Sequence, residues 1–125
     1  VTPLLFALLA LAGGAGAAAR FILDGVIRSR LKTAFPWATT VINLSGSLAL
    51  GVLTGLTAAH LLPEQLSVVL GAGFLGGYTT FSTASYETVQ LIRQGRYGAS
   101  LLSGLLMLVL CVAAASLGLW LGSSL

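Results

Sequence analysis

One hundred and twenty-five residues suffice for one small domain, yet 57% of them are hydrophobic and only 7% are charged, too few to build a water-facing surface. A mean hydropathy of +1.01 excludes a cytosolic or secreted globule and a disordered chain. The net charge of +3 does not make a nucleic-acid binder either, because most of the basic residues fall in short joints between apolar stretches.

A bilayer-crossing helix needs about 20 mostly apolar residues. Four such stretches fit, at about 3–26, 39–59, 66–92 and 99–122. The spacing therefore predicts a single domain over 1–125, an all-α integral membrane protein of four transmembrane helices. The first stretch lacks a basic start, is long for a signal peptide and carries Arg20, so it reads as a retained span. Along it, Gly13 shares a face with Ala17, and Gly16 with Arg20. Arg20 either snorkels to the nearby basic end or draws anions into a vestibule, and Asp24, four residues on, offers it an ion pair. The first joint carries Arg28, Arg30 and Lys32 ahead of Phe35-Pro36-Trp37.

In the second stretch Asn43, Ser47, Gly51 and Gly55 recur every four residues along one face. Small residues at this spacing let membrane helices approach closely, within one chain or between chains. An amide in hydrocarbon must find a partner, so Asn43 is either an interhelical clamp or part of a polar path. The second joint, His60 to Glu64 with Pro63, holds no Lys or Arg.

The third stretch is the densest. Gly71, Gly73, Gly76 and Gly77 are followed by Tyr78-Thr79-Thr80-Phe81-Ser82-Thr83-Ala84-Ser85, poor helix material, which predicts a break near Gly76 to Thr79. The glycines either kink the helix or free carbonyls that ring a small cation. Beyond the break, Thr79, Thr80, Ser82, Thr83 and Ser85 point nearly all round, so this half-helix belongs inside an assembly, with hydroxyl donors for a dehydrated anion. Phe81 among them is either a core residue or a positive ring edge at which an anion lingers without binding too tightly. Glu87 lies towards the basic end and invites an Arg partner.

The third joint holds Arg93 and Arg96, and the fourth stretch repeats small residues at Ala114, Gly118 and Gly122. The lone Cys111 forms no disulfide framework within the chain. Trp37, Tyr97 and Trp120 sit near span ends as interfacial anchors. Counting Lys and Arg puts Arg28, Arg30, Lys32, Arg93 and Arg96 on one side and none on the other. The chain should therefore insert one way, multi-pass in the cell membrane, with both termini outside the cytoplasm. Paired carboxylates, metal-ligand spacings and a nucleophile beside a base are all missing, which argues against an enzyme. Four spans cannot enclose a wide lumen, so function calls for more than one chain. One reading of this pattern is a small proton-coupled multidrug exporter, for which Glu87 is the sole carboxylate candidate.

Three signatures sharpen the reading: Gly13-Gly14-Ala15-Gly16-Ala17 with Arg20-Phe21; Pro36-Trp37-Ala38-Thr39 with Asn43 and Gly46; and Gly73-Phe74-Leu75-Gly76-Gly77-Tyr78-Thr79-Thr80-Phe81-Ser82-Thr83. In this order they resemble the Fluc or CrcB family of fluoride channels over essentially the full length. The resemblance implies a passive, fluoride-selective channel that exports cytoplasmic fluoride and lowers its toxicity. It implies an antiparallel, dual-topology-type dimer with pores at the subunit interface and a structural sodium ion held by the backbone carbonyls of Gly76 and Thr79. It places Asn43, Phe81, Ser82 and Thr83 in the pore and leaves the role of Arg20 open. Two departures stand out: the family's second pore phenylalanine falls at Ala84, and a polar fourth-span position falls at Met107. Together with the one-sided basic bias they suggest a chain that pairs with a homologous subunit, the alternatives being a pair with a copy of itself or a subunit that does not conduct alone.

Overall fold

The computed structural model describes residues 2–33 and 35–125, apart from the side chain of Ser82. Among these residues all regular structure is helical. Helix α1 (Pro3–Arg30) starts where Thr2 Oγ1 accepts the Leu5 amide at 3.1 Å and Pro3 takes a position that needs no amide donor. It runs past the expected end at residue 26, carrying Arg28 and Arg30 in its last turn, where cations suit the negative end of the helix dipole.

Helix α2 (Trp37–Ala58) begins directly after Pro36. It closes with Leu61 N–H donating to Leu56 O (2.9 Å) and His60 N–H to Thr57 O (3.1 Å). This cap demands a left-handed residue, and His60 supplies it at φ 60°.

The third apolar stretch forms two helices. Helix α3 spans 64–78 and is π-helical over Val69–Leu75. Thr79 is extended (φ −82°, ψ 159°), and helix α4 (Ser82–Arg93) starts three residues later. The interruption therefore lies at residues 79–81, after the glycines rather than at Gly76, which is helical together with Gly77. Helix α4 ends in the same cap as α2, with Gly95 at φ 75° and Arg96 N–H donating to Leu91 O at 2.8 Å. Helix α5 (Tyr97–Ser123) contains a π-helical turn at Leu102–Leu106. Helices α1, α2 and α5 are each long and apolar enough to cross a membrane.

The small-residue stripes pack against one another inside the single chain, which decides between the two options the spacing left open. Gly51 lies against Ala115 and Leu119, and Gly55 against Leu119, Gly122 and Ser123, so α2 and α5 run parallel in close contact. Reciprocally, a Cβ on Gly118 would stand 2.3 Å from Leu48 O, and one on Gly122 2.4 Å from Val52 O. The same device joins α1 to α3: a Cβ on Gly77 would meet Gly13 O at 2.1 Å, and one on Gly16 would meet Phe74 O closer still. Here lies the reason the glycines do not form the break. Gly73 and Gly77 are committed to close contact with α1, which needs a regular helical surface.

The exterior is apolar, with Leu4, Phe6, Leu11, Phe21, Leu108 and Trp120 all exposed. Trp37 and Tyr97 are exposed at the basic end of the bundle and Trp120 towards the other.

Candidate functional site

The interrupted helix is stitched open by side chains. In an unbroken helix the Thr80 amide would donate to Gly76 O; here it donates to Asn43 Oδ1 at 2.9 Å. Asn43 Nδ2 returns the bond to Thr80 O at 2.8 Å, so one side-chain amide pairs with both backbone groups of Thr80, as a neighbouring strand would. The Thr83 amide, whose helical acceptor would be Thr79 O, instead donates to Thr80 Oγ1 at 3.2 Å. Both amides that would ordinarily close on the Gly76 and Thr79 carbonyls are thus diverted. Leu75 O, by contrast, accepts from both the Thr79 amide and Thr79 Oγ1, each at 2.9 Å, and so ends α3 cleanly.

Beside the interruption lies an open groove of about 650 Å³ between α2, α3, α4 and α5, with Asn43, Ser47, Gly76, Thr79, Phe81 and Met107 on its walls. Phe81 is 87% exposed and stands at the groove with nothing packed over it. The positive, N-terminal end of α4 opens at the same place. Met107 Sδ lies 3.5 Å from Asn43 Nδ2 and occupies the amide's second N–H. Ala84 is buried on the same wall, and Cys111, a free thiol, lies farther along it.

A polar cluster at the basic end ties α4 to its neighbours. Arg28 Nη2 donates to Glu87 Oε2 at 2.8 Å and Arg28 Nε to Asp24 Oδ1 at 2.6 Å. Thr39, almost fully buried, donates through its hydroxyl to Glu87 Oε1. Glu87 thereby joins α1, α2 and α4, and its expected Arg partner is Arg28. The expected Asp24–Arg20 pair does not form, because Arg28, also four residues from Asp24, takes that carboxylate. Arg20 instead donates from Nε to Gly77 O at 3.3 Å, reaching the interruption from the α1 side.

A sequence profile of the family described as CrcB-like protein, Camphor Resistance (CrcB), matches residues 7–119. The chain belongs to this family. It is 55% identical to fluoride-specific ion channel FluC 1 of Leifsonia xyli subsp. xyli, over 98% of this chain and 89% of that protein. It is also 44% identical to FluC of Magnetococcus marinus (90% and 93% covered) and 48% identical to FluC 2 of Cutibacterium acnes (90% and 93%). Membership of a channel family, with three bilayer-length apolar helices, makes this a membrane protein.

Of the residues that the CrcB resemblance singled out, Asn43, Gly76, Thr79 and Phe81 meet at the groove. Thr83 is half-buried and is not among the groove's lining residues, whereas Arg20 reaches the interruption from α1. Ser82 opens α4, and its side chain lies outside the described residues. Thr39 and Arg28 carry contacts that the motifs did not assign. Thr39 was within reach as the polar residue of Pro36-Trp37-Ala38-Thr39, one helical turn before Asn43. Arg28 could be read from its i,i+4 spacing to Asp24, but its bond to Glu87 depends on α4 lying beside α1. Among the described residues no cluster of three or more His, Cys, Asp or Glu is placed to hold a metal ion.

Proposed function

We propose that this chain is a subunit of a passive, fluoride-selective channel of the cell membrane that lets cytoplasmic fluoride out. The observation that carries this is its identity of 44–55%, over nine-tenths or more of its length, to proteins named fluoride-specific ion channels. The groove supports it. A dehydrated anion needs donors without a full opposing charge, and hydroxyls, an exposed aromatic edge and the N-terminal end of α4 supply them. Asn43, Phe81, Ser82 and Thr83 are the pore residues of this reading, with Asn43 acting first as the clamp that keeps α3 and α4 apart.

Helices α3 and α4 together make one interrupted crossing, the third of four in chain order, with both termini outside the cytoplasm. The groove is one-sided and its apolar walls are open, so the pore is completed by a second chain inserted in the opposite sense, either a copy of this one or a homologue. Burial of Ala84 and the bond from Asn43 to Met107 favour a homologue, since this wall lacks one aromatic and one polar side chain.

The carbonyls of Gly76 and Thr79, deprived of their helical amides, are hard neutral oxygens that suit sodium. A bound ion there would supply fixed positive charge to hold the interrupted crossings of two subunits together. The exporter alternative finds no support: both oxygens of Glu87, its sole candidate carboxylate, are engaged.

Efflux from fluoride-loaded liposomes, followed with a fluoride electrode, tests the proposal on the lone chain and on the chain with a homologous partner. Fluoride release without chloride release is expected in at least one case. No fluoride release in either would refute it.

A further inference from the structure

Arg20 is the signature residue that the pore reading leaves without a task. Its place follows from the packing of α1 on α3. Gly13, Gly16 and Ala17 form the α1 face that touches the α3 backbone, and a Cβ on Gly77 would lie 3.1 Å from the Ala17 amide. Arg20 is the next residue along that face, one turn beyond Gly16, and at this separation its guanidinium reaches Gly77 O. Among the described residues it has no carboxylate partner, because Asp24 is held by Arg28.

Gly77 O belongs to the last turn of α3, where carbonyls are orphaned and the helix end is negative. In an unbroken helix its donor would be the Phe81 amide. We infer that Arg20 is a positioning residue that keeps the third crossing interrupted by occupying the Gly77 carbonyl, so that the Phe81 amide cannot close on it. Asn43 does the same for the preceding pair, Gly76 O and the Thr80 amide, from α2. The two clamps approach from different helices and compete away consecutive rungs of one ladder. In hydrocarbon an unpaired carbonyl and an unpaired amide four residues apart are driven to meet. Removing the Arg20 donor therefore favours annealing of residues 77–81, and annealing would swing Phe81 out of its place at the groove.

The inference rests on the channel reading only where flux is measured, so the two can fail separately. The experiment compares the full chain with Arg20→Met, Arg20→Gln and Arg20→Lys in nanodiscs, following amide hydrogen exchange at each residue alongside fluoride efflux. Annealing predicts that the Phe81 amide exchanges at least about tenfold more slowly in Arg20→Met, the size expected when one charge-assisted bond is replaced by a rung of the ladder. Efflux should fall with it, Arg20→Lys should restore both, and Arg20→Gln, which keeps a donor, should lie between. Faster or unchanged exchange at Phe81 in Arg20→Met overturns the inference, since a merely structural arginine would loosen its surroundings. Equal loss of efflux in Arg20→Gln and Arg20→Met with unchanged exchange would also overturn it and mark Arg20 as an anion-attracting charge. If Arg20→Met does not fold, the Arg20→Gln and Arg20→Lys pair decides: indistinguishable Phe81 exchange in the two is the refuting result. Absence of efflux from the unmodified protein would count against the channel reading and leave the exchange result to judge the clamp.

Discussion

Gly118→Ala adds one methyl group where α2 and α5 meet backbone to backbone. Its Cβ would stand 2.3 Å from Leu48 O and 2.8 Å from Val52 N, both backbone atoms that cannot swing aside. Carbon and oxygen rest comfortably at about 3.3 Å or more, so the two helices must part locally by about 1 Å. A gap of that size forfeits about a quarter to a half of each contact's attraction, which over about twenty atom pairs of 0.1–0.2 kcal/mol amounts to about 1 kcal/mol. Strain in a well-packed interior adds about 1–3 kcal/mol, giving a total loss of about 2–4 kcal/mol. Gly25→Ala is the control: nothing lies within 4 Å of its added Cβ, and a better helix former there should leave stability unchanged or raise it by up to about 1 kcal/mol. Reversible unfolding in mixed micelles, followed by circular dichroism, compares the two. If Gly118→Ala unfolds within about 0.5 kcal/mol of Gly25→Ala, a spread typical of neutral substitutions, the claim that α2 and α5 touch through bare backbone is wrong.

Asn43→Leu strips both bonds from the Thr80 backbone and should destabilise the chain by about 2 kcal/mol or more in thermal unfolding. Stability equal to the unmodified chain would show that Thr80 has other means of satisfaction. Phe81→Ile should cut fluoride efflux at least about tenfold, a barrier change of about 1.4 kcal/mol, while leaving thermal stability intact, because the ring is 87% exposed and outside the core. Undiminished efflux would remove Phe81 from the pore. His60→Gly relieves a left-handed residue of about 1–2 kcal/mol of strain and gives back about 0.4–1 kcal/mol through a more flexible unfolded chain, for a net gain of about 0.5–1 kcal/mol. A lower melting temperature in that variant would contradict the cap assigned to the end of α2.

Composition and periodicity were enough for the helical class and for the three bilayer-length helices, because the cost of unpaired backbone in hydrocarbon leaves an apolar chain few other structures. Spacing also showed that Gly51 and Gly55 share a face, as do Gly118 and Gly122. It was silent on what those faces meet, because small-residue stripes look alike whether they pack within a chain or between two. The same limit explains the ion pairs. Asp24 is four residues from both Arg20 and Arg28, and only the placement of α4 beside α1, which brings Glu87 to Arg28, decides which arginine it keeps. Glycine content pointed to the right neighbourhood for an interruption but put it about one turn early, because intrinsic propensity does not register that Gly73 and Gly77 are held against α1. What the sequence by itself determined is therefore local: which segments are helical and which residues line up along them. Which carbonyls α3 gives up, and whether Asn43 or Arg20 takes them, was decided by tertiary structure, since a hydrogen bond between residues 37 or 57 positions apart exists only once three helices have packed.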